Sequence, residues 1–284
     1  MGAVIMAPMR SIGLSRWGGQ WRARFFDLAA HFTPAVAVDQ DGLRVWLSTR
    51  DKMPGRLIFA RGVPERATLA RACELIADRR ATFVDVGAHI GTTTLAALRW
   101  HGFSRAVCFE PDPANLAWLG QNIMTNRLSD RVQIVPSAVS DGPAKVSFER
   151  APLNTGDGRV RVGAPRAGQF DEHLRDVVEV SATTLDDHVA PSEASLVWID
   201  AQGHEAHVLR GARRLMRAGV PIVLELWPYG LERMGGLEPL VELAAEFYAS
   251  AVDLRDGSTY PPQALPELAA QIKGIDFTDI LLRR

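Results

Sequence analysis

Residues 82–92 combine an acid, a glycine turn and the start of a helix in one short stretch. An apolar run ends at Asp85, the chain turns through two glycines, and a run of small residues then predicts a helix. A second apolar run ends at Glu110, which Pro111 follows. A nucleotide-like cofactor needs this order, because the turn lets the backbone approach the ligand and the second acid accepts hydrogen bonds from ribose hydroxyls. The predicted cofactor contacts of this region are Asp85, Gly87, Ala88, His89, Gly91, Glu110 and Pro111.

The glycine turn differs from that of a dinucleotide site. A pyrophosphate binder has the pattern G-x-G-x-x-G, whereas this turn reads D-x-G-x-H-x-G, with His89 at the middle position. Histidine is one of the few non-glycine residues enriched at positive φ, so the turn is still possible. The Asp85 carboxylate would repel a phosphate but suits a ligand with an ammonium and a sulfonium group. These observations favour S-adenosylmethionine over NAD.

Two other classes of protein stay open at this point. A nicotinamide-dependent oxidoreductase could use the same strand, turn and helix, although the chain has no Tyr-x-x-x-Lys or similar catalytic pair. A non-catalytic homologue could keep the fold and the cofactor. The intact turn and Glu110 argue against a loss of cofactor binding, but they do not establish turnover.

Residues 200–205 form a second cluster, which could move protons. Asp200 ends an apolar run and is followed by a glycine turn, His204 and Glu205. Asp200 could orient the methionyl ammonium or the acceptor hydroxyl, and His204, with an ordinary pKa near 6.5, could act as a general base. Alternatively, His204 is a surface residue and Glu205 only complements the helix N-terminus. Glu225, which ends the next apolar run, is the third candidate base.

The same region contains possible metal ligands. Asp200, Gln202, His204, His207 and Glu225 could supply oxygen and nitrogen donors, but their spacing matches no recognised ligand pattern. The sequence therefore predicts no metal site.

From residue 81 onwards, predicted strands and helices alternate, and these elements would position the candidate residues. Near-continuous apolar runs separated by helical stretches are typical of an α/β fold with a parallel sheet covered on both faces. The predicted strands are residues 83–86, 106–110, 132–135, 196–200 and 222–226, with helices at 92–100, 113–126, 204–217 and 237–248. Residues 251–254 and 277–282 are expected to close the sheet as an antiparallel pair.

The long span 137–189 interrupts this alternation. Residues 145–149 and 177–181 alternate like edge strands, and the polar, glycine-rich run 154–158 between them has no helical period. Long irregular insertions in compact domains are usually functional or mobile. We therefore expect residues 154–158 to order over a bound acceptor or cofactor.

The first eighty residues predict a small α+β extension. Trp17, Trp21, Phe25 and Leu28 predict one apolar stripe on a basic helix, which packs on the main domain or, alternatively, contacts a membrane surface or forms a lid. Residues 42–48 alternate like a strand that residues 55–59 could pair with, and residues 65–77 predict a helix. The expected division is an extension at 1–80 packed on a cofactor-binding domain at 81–284.

Composition sets the outer limits. The chain has 284 residues and is 47% hydrophobic. Its net charge of −1 gives no overall positive electrostatic potential that would attract nucleic acid. Its two cysteines, Cys73 and Cys108, indicate a reducing compartment. Residues 1–19 contain no apolar run long enough for a signal peptide or a membrane span, so the expected location is cytoplasmic. The expected partner is a small-molecule or glycan acceptor, and the oligomeric state stays open.

Six motifs occur in the order that a known family has. They begin at Phe83 (F-V-D-V-G-A-H-I-G), Phe109 (F-E-P), Ala138 (A-V-S-D), Asn154 (N-T-G), Thr184 (T-L-D-D) and Ile199 (I-D-A-Q-G-H-E). Together they resemble the FkbM family of S-adenosylmethionine-dependent methyltransferases, from about residue 41 to residue 226. Family members usually have Asn at the position of His89, and many have Glu at that of Gln202.

The resemblance implies a Rossmann-like, seven-stranded methyltransferase sheet whose last strand is antiparallel. It also implies O-methylation of a hydroxyl on a sugar, polyketide or other secondary metabolite, by in-line attack on the sulfonium methyl. Because the sulfonium is a good leaving group, the protein would mainly add positioning and deprotonation. Asp200, His204 and Glu225 are then the candidate bases, and Ser137 and Ala138 are further expected cofactor contacts.

Overall fold

The computed structural model describes residues 18–163 and 169–284, so the part of the predicted N-terminal stripe up to Trp17 lies outside the described residues. None of the helices in these ranges is long and apolar enough to cross a membrane. In chain order the elements are α1 (Gly19–Ala29), β1 (Ala35–Gln40), β2 (Leu43–Ser48), α2 (Pro54–Arg61), α3 (Arg66–Leu75), β3 (Thr82–Val86), α4 (Thr92–Trp100), β4 (Arg105–Phe109), α5 (Pro113–Thr125), β5 (Val132–Val135), β6 (Ala138–Val139), β7 (Ala144–Arg150), β8 (Arg159–Val160), β9 (Asp176–Thr183), β10 (Ala194–Ile199), α6 (Glu205–Arg210), α7 (Arg213–Arg217), β11 (Ile222–Leu226), α8 (Pro228–Met234), α9 (Leu237–Phe247), β12 (Ser250–Asp253), β13 (Thr259–Tyr260), α10 (Leu265–Gln271) and β14 (Thr278–Arg283), with 3₁₀ turns at Gln169–Leu174 and Pro262–Ala264.

A mixed sheet of eight strands forms the centre of the fold. Its order is β13-β12-β14-β11-β10-β3-β4-β5, in which β5, β4, β3, β10 and β11 run parallel and β14 is antiparallel to both of its neighbours. The five predicted parallel strands and the antiparallel closing pair are confirmed, and the two-residue β13 is an addition to the seven strands expected. The architecture is a Rossmann-like α/β fold, and its strand order reverses between β3 and β10.

Helices cover both faces of this sheet. Successive strand residues point to opposite faces, so neighbours in β3 join different buried clusters. Phe83 shares a cluster with Leu95 of α4 and Leu119 of α5, whereas Val84 shares the other with Leu209 of α6. The predicted pattern of strands buried on two sides is therefore confirmed.

The N-terminal part packs on the first of these faces. Phe26 of α1, Val45 of β2 and Phe59 of α2 belong to the same buried cluster as Phe83. The α1 helix is nevertheless oriented differently from the predicted stripe, because Trp21 and Leu28 are 61% and 55% exposed while Phe26 is fully buried. The prediction that Trp21 and Leu28 lie on the packed face is therefore wrong.

The expected pairing of residues 55–59 with β2 is also wrong. These residues lie in α2, whose first position is taken by Pro54, a favourable residue there because its missing N–H would be unpaired anyway. β2 pairs antiparallel with β1 instead, through a turn at Asp41 and Gly42, both of which have positive φ.

The 137–189 span folds into a second sheet of four strands, with the order β6-β9-β7-β8. β7 and β9 contain the two predicted edge strands and pair antiparallel with each other. Phe148, Val180 and Ala182 form a small core of their own. The span is thus a folded insertion, and its glycine-rich run is the loop between β7 and β8.

The predicted helix 204–217 is divided into α6 and α7. The chain turns at Gly211, where an added β-carbon would lie 2.1 Å from the carbonyl oxygen of Ser140. This close approach joins the end of α6 to the strand that begins the insertion. Packing between elements distant in sequence, rather than local helix propensity, therefore sets the break.

Candidate active site

A pocket opens at the carboxyl ends of β3, β4 and β10, next to the reversal of strand order where ligands of such sheets bind. We call it the inner pocket. Its lining includes the predicted residues Gly87, His89, Glu110, Pro111, Ser137, Ala138, Asp200 and His204. It also includes Thr155 of the glycine-rich run that was expected to lie over a ligand, and Asn115, Phe148, Arg159 and Val160, which the sequence did not predict. The insertion therefore forms one wall of a pocket whose other walls are strand ends.

A wide cleft of about 1610 Å³ adjoins the inner pocket. We call it the outer cleft. It lies between α1, α2, the β7–β8 loop and the end of β11, and Ala88 and Glu225 are among its lining residues. Gly87, His89, Gly156 and Asp200 line both spaces. A ligand in the pocket and a second ligand in the cleft would thus meet beside Asp200.

Glu110 follows β4 as predicted and faces the inner pocket. Its two carboxyl oxygens accept hydrogen bonds from the backbone N–H groups of His89 (2.9 Å) and Asp112 (2.8 Å). The side chain is 3% exposed, and burial raises its pKa to about 8. Oε1 also accepts a longer hydrogen bond from the Asn115 amide (3.5 Å), and the lone pair that remains on Oε2 can accept a hydrogen bond from a ligand hydroxyl.

The glycine turn has the left-handed backbone that its sequence predicts. Gly87, His89 and Gly91 have φ values of 82°, 51° and 90°. A β-carbon added to Gly87 would lie 1.9 Å from the carbonyl oxygen of Asp200, so only glycine fits where the end of β3 touches the end of β10. His89 meets its positive φ without such a close neighbour, in keeping with the tolerance of histidine for this region.

Asp85 and Gly91 lie outside the lining of both spaces. The Asp85 carboxyl accepts a hydrogen bond from the Thr94 hydroxyl of α4, and burial raises its pKa to about 7. Gly91 precedes the first residue of α4, and an added β-carbon would meet the side chain of Leu119 at 2.6 Å. Both residues therefore fix the turn against α4 and α5, and a direct contact between Asp85 and a cofactor stays a prediction.

Asp200, Gln202 and Glu225 form a linked group at the mouth of the inner pocket. The Gln202 amide donates hydrogen bonds to Asp200 Oδ1 (2.6 Å) and to Glu225 Oε2 (3.3 Å). Burial raises the pKa of Asp200 to about 6, and burial together with the charge of Asp200 raises the pKa of Glu225 well above its usual range. With a pKa of about 6, the Asp200 carboxyl is mostly ionised at neutral pH, which favours it over Glu225 as a base.

His204 lines the inner pocket but not the outer cleft. Its Nε2 lies 3.0 Å from Ser140 Oγ, and its ring stacks on that of His207 with 4.2 Å between centroids. Burial, and then the neighbouring His207, lower the pKa of His204 to about 3. A general base must reach the acceptor proton, so this geometry favours Asp200 and Glu225 over His204.

Thr155 joins three separate segments above the glycine turn. Its hydroxyl lies 2.8 Å from His89 Nε2 and donates to Asp51 Oδ2 (3.0 Å), just before α2. Its carbonyl accepts a hydrogen bond from the Asn115 amide (3.0 Å) in α5. Because the hydroxyl proton goes to Asp51, His89 must donate its Nε2 proton to Thr155. The motif Asn154-Thr155-Gly156 was noticed in the sequence, but nothing in it indicated these partners.

Buried ion pairs hold the insertion against α8. Arg233 of α8 lies 3.0 Å from Glu149 and 2.9 Å from Glu172, and Arg159 of β8 lies 3.5 Å from Glu172. The Tyr229 hydroxyl also donates to Glu172 (2.9 Å). No local sequence pattern predicts this network, because Arg233 and Glu149 are 84 residues apart. The network fixes the wall of the inner pocket that Arg159 and Phe148 form.

Among the described side chains, no group of three or more His, Cys, Asp or Glu residues is arranged to hold a metal ion. Asp200 and Glu225 are bridged by an amide instead. The described geometry therefore gives a set of acids and no metal-ligand cluster.

Comparison with known proteins gives one curated relative of modest similarity. The chain is 27% identical over 148 residues to the 2-O-methyltransferase NoeI of Sinorhizobium fredii. The matched part covers 47% of this chain and 58% of that protein, which is less than two thirds of its length.

Solved structures of similar architecture are more distant in sequence. Methyltransferase FkbM from Methylobacillus flagellatus has a TM-score of 0.48 and 17% identity, covering 94% of this chain and 60% of that one. TYW2 of M. jannaschii, solved in complex with AdoMet, has a TM-score of 0.46 and 12% identity, covering 88% and 84% of the two chains.

The match to a defined domain family is more extensive than these pairwise similarities. The pattern of the methyltransferase FkbM domain matches residues 85–242, which is more than half of the chain. The matched region begins at the acid of the glycine turn and includes the insertion, Asp200 and Glu225. The chain therefore belongs to the FkbM methyltransferase family.

Proposed function

We propose that this FkbM-family chain is an S-adenosylmethionine-dependent O-methyltransferase that acts on a hydroxyl of a sugar, polyketide or other secondary metabolite. The observation that carries the proposal is the position of Asp200. It lies where a pocket with a strand-end acid and a glycine turn meets a cleft large enough for a second ligand. The similarity to a protein named as a 2-O-methyltransferase supports oxygen as the methylated atom.

The residues of the inner pocket fit the proposed cofactor. Glu110 offers carboxyl oxygens to the two ribose hydroxyls. Gly87 has no side chain, so its backbone is accessible where the inner pocket meets the outer cleft. Asp200 and Glu225 surround that junction with carboxyls, which suits a ligand with positive charges on nitrogen and sulfur. The Asn115 side-chain oxygen is buried without a hydrogen-bond partner and lies in the lining, where a ligand donor could pair with it.

The bound cofactor would supply an electrophilic methyl group on its sulfonium. Asp200, ionised at neutral pH, would hold the acceptor hydroxyl in the outer cleft and take its proton as the carbon–oxygen bond forms. The Gln202 amide would keep the carboxylate oriented through its hydrogen bond to Oδ1. The raised pKa of Glu225 would favour its protonated form and so disfavour a second negative charge beside Asp200. Glu110 and the glycine turn would hold the adenosine end in place.

The first test is ligand binding. We expect S-adenosylhomocysteine to raise the melting temperature and NADH to leave it unchanged, because the turn lacks the glycine pattern of a pyrophosphate site. In calorimetry, Glu110→Ala should weaken S-adenosylhomocysteine binding by about 1–3 kcal/mol, because two ribose hydroxyls would each lose a hydrogen bond of about 0.5–1.5 kcal/mol. Glu179→Ala, a change at an exposed glutamate of β9, is the matched control and should bind like the wild type.

The outcomes separate the competing functions. Stabilisation by NADH alone would indicate an oxidoreductase and overturn the proposal. Unchanged affinity in Glu110→Ala would overturn the assignment of Glu110 to the ribose. Methyl transfer to a panel of sugar and polyketide hydroxyls, followed by mass spectrometry, distinguishes an enzyme from a cofactor-binding homologue that does not turn over.

A further inference from the structure

The wall of the outer cleft at α1 and α2 carries three basic side chains. Arg24 of α1, Lys52 before α2 and Arg61 at the end of α2 line the cleft. Arg56 lines the same wall but is paired with Asp27, at 2.9 Å. Among the described side chains, no carboxylate lies within 4 Å of Arg24, Lys52 or Arg61, so their charges are free to meet a ligand.

Contacts that leave the charge available hold two of these cations, Lys52 and Arg24, in place. The Lys52 N–H donates to the Leu153 carbonyl (3.0 Å), and its ammonium lies 5.8 Å from the centroid of the Phe26 ring. The Arg24 guanidinium lies 5.1 Å from the Trp21 ring.

The strand-end side of the cleft is lined by carboxyls instead. Asp200 and Glu225 form its floor there, whereas Asp157 in the same lining is ion-paired with Arg175. A ligand with an anion at one end would be oriented by the wall and repelled from the floor, so its far end would face Asp200. The basic side chains of the cleft thus lie at α1 and α2, and its acids lie at the other end, beside the proposed site of methyl transfer.

We propose that the methyl acceptor carries an anionic group, a phosphate, sulfate or carboxylate, that binds to Arg24, Lys52 and Arg61 while its hydroxyl lies beside Asp200. This inference rests on the proposed methyltransferase function and adds the class of substrate to it. An anion that three cations share gains charge-assisted hydrogen bonds, and arginine can offer two parallel donors to a phosphate or carboxylate.

A small anion fits the cleft better than nucleic acid does. The basic wall consists of three side chains, the whole chain has a net charge of −1, and the acidic floor would repel a neighbouring phosphate of a polymer. The observations therefore favour an acceptor with one anionic group over a polyanion.

The experiment uses the full chain loaded with S-adenosylhomocysteine and simple probes. Calorimetry compares inorganic phosphate, sulfate and acetate, and then the matched sugars glucose, glucuronate and glucose 6-phosphate. We expect the two charged sugars to bind about tenfold more tightly than glucose, as one charge-assisted contact implies, and added NaCl to weaken them. The phosphate and carboxylate probes together identify which anion the wall prefers.

Variants locate the binding at the wall. Lys52→Gln and Arg61→Gln should each weaken the charged sugars by about tenfold and leave glucose and S-adenosylhomocysteine unchanged. The matched controls are Lys145→Gln and Arg105→Gln, exposed residues of β7 and β4 that do not line the cleft, which should bind like the wild type.

The possible failures are distinguishable. If S-adenosylhomocysteine does not bind, the proposed function fails. If it binds but no anion binds, if glucose binds as tightly as its charged counterparts, or if the wall variants match the controls, the inference about the acceptor is overturned. Binding of a single-stranded RNA that Lys52→Gln abolishes, without binding of the charged sugars, would overturn it in favour of a polyanion.

Discussion

At the scale of single residues, the acids of the site differ in pKa. Burial raises the pKa of Glu110 to about 8 and that of Glu225 well above its usual range, whereas that of Asp200 is about 6. Gln202 bridges Asp200 and Glu225 through its single side-chain amide. Asp200 is therefore the residue at which loss of charge should have the largest effect on turnover.

Asp200→Asn should leave the protein folded and lower methyl transfer by a factor of ~10²–10⁴, typical of a lost acid–base group. Its neighbour Ile199 is 1% exposed in β10, so Ile199→Ala should lower the free energy of unfolding by about 2–5 kcal/mol. Steady-state kinetics and urea unfolding of both variants check this contrast. Cofactor affinity lost in step with activity would assign Asp200 to cofactor orientation, and a wild-type rate would remove it from the mechanism.

Gly87→Ala should be far more destabilising than an ordinary change at a glycine of positive φ. The new methyl group would meet the Asp200 carbonyl at 1.9 Å, and neither backbone can move without opening the sheet. Gly102→Ala is the control, because Gly102 also has positive φ but has no atom within 4 Å of an added β-carbon. It should lower the free energy of unfolding by about 1–2 kcal/mol. Similar melting temperatures for the two variants would contradict the steric explanation.

At the scale of elements, the N-terminal part, the insertion and the glycine turn meet at one threonine. The hydrogen bonds of Thr155 reach His89 in the turn, Asp51 before α2 and Asn115 in α5. Residues 154–158 are thus attached at their centre to the walls of both the inner pocket and the outer cleft. Ordering of this loop by a ligand in one space would affect the shape of the other.

Thr155→Val should make residues 154–158 more mobile, because valine has nearly the volume of threonine but lacks its hydroxyl. The variant loses the hydroxyl bonds to His89 and Asp51, so amide hydrogen exchange in residues 154–158 should become faster, and S-adenosylhomocysteine should slow it less than in the wild type. Thr259→Val, at an exposed threonine of β13, serves as the control. Strong and equal protection of this loop in wild type and variant, with and without ligand, would rule out a closing segment.

The elements also show where sequence patterns determine structure. The parallel strands were predictable because their apolar runs are buried on both faces, and α4 because Gly91 marks its start. The face of α1 was not predictable, because adjacent Phe25 and Phe26 make two apolar stripes possible. Both rings contact Phe59, at 6.1 and 5.6 Å between centroids, and Phe26 is the one that is fully buried. The same holds for the site. Glu110 and Asp200 were predictable because they end predicted strands, whereas the roles of Thr155 and Arg233 depend on partners far away in the sequence.

At the scale of the whole molecule, buried acids accumulate at one edge of the sheet. Burial raises the pKa of Asp200 to about 6, of Glu65, Asp85, Glu205 and Asp279 to about 7, and of Glu110 to about 8. The buried histidines shift in the other direction, with the pKa of His89 lowered to about 4 and that of His204 to about 3. Below pH 6.5 the buried carboxyls and the buried histidines have opposite effects on the pH dependence of stability. Above pH 6.5 only the carboxyls titrate.

The unliganded protein should therefore lose stability as the pH rises from 6.5 to 8. In this range the unfolded chain has ionised carboxylates and neutral histidines, while the folded chain still holds protons on its buried carboxyls. The folded state binds more protons, so the free energy of unfolding should fall by about 1.4 kcal/mol per pH unit for each carboxyl still protonated. Urea unfolding at several pH values measures the slope. Glu205→Gln removes one titrating group and should make the slope shallower, and a flat or rising wild-type curve would contradict the prediction.

The position of β14 has a consequence for how the chain is made. This strand follows every other described element in the sequence, yet it lies inside the sheet, hydrogen-bonded to β11 on one side and β12 on the other. During synthesis, β11 and β12 are thus complete before the strand that joins them has left the ribosome. Both would then present unpaired edges, which are templates for association with other chains. We expect ribosome-bound chains that end before residue 278 to depend on chaperones more than the finished protein does.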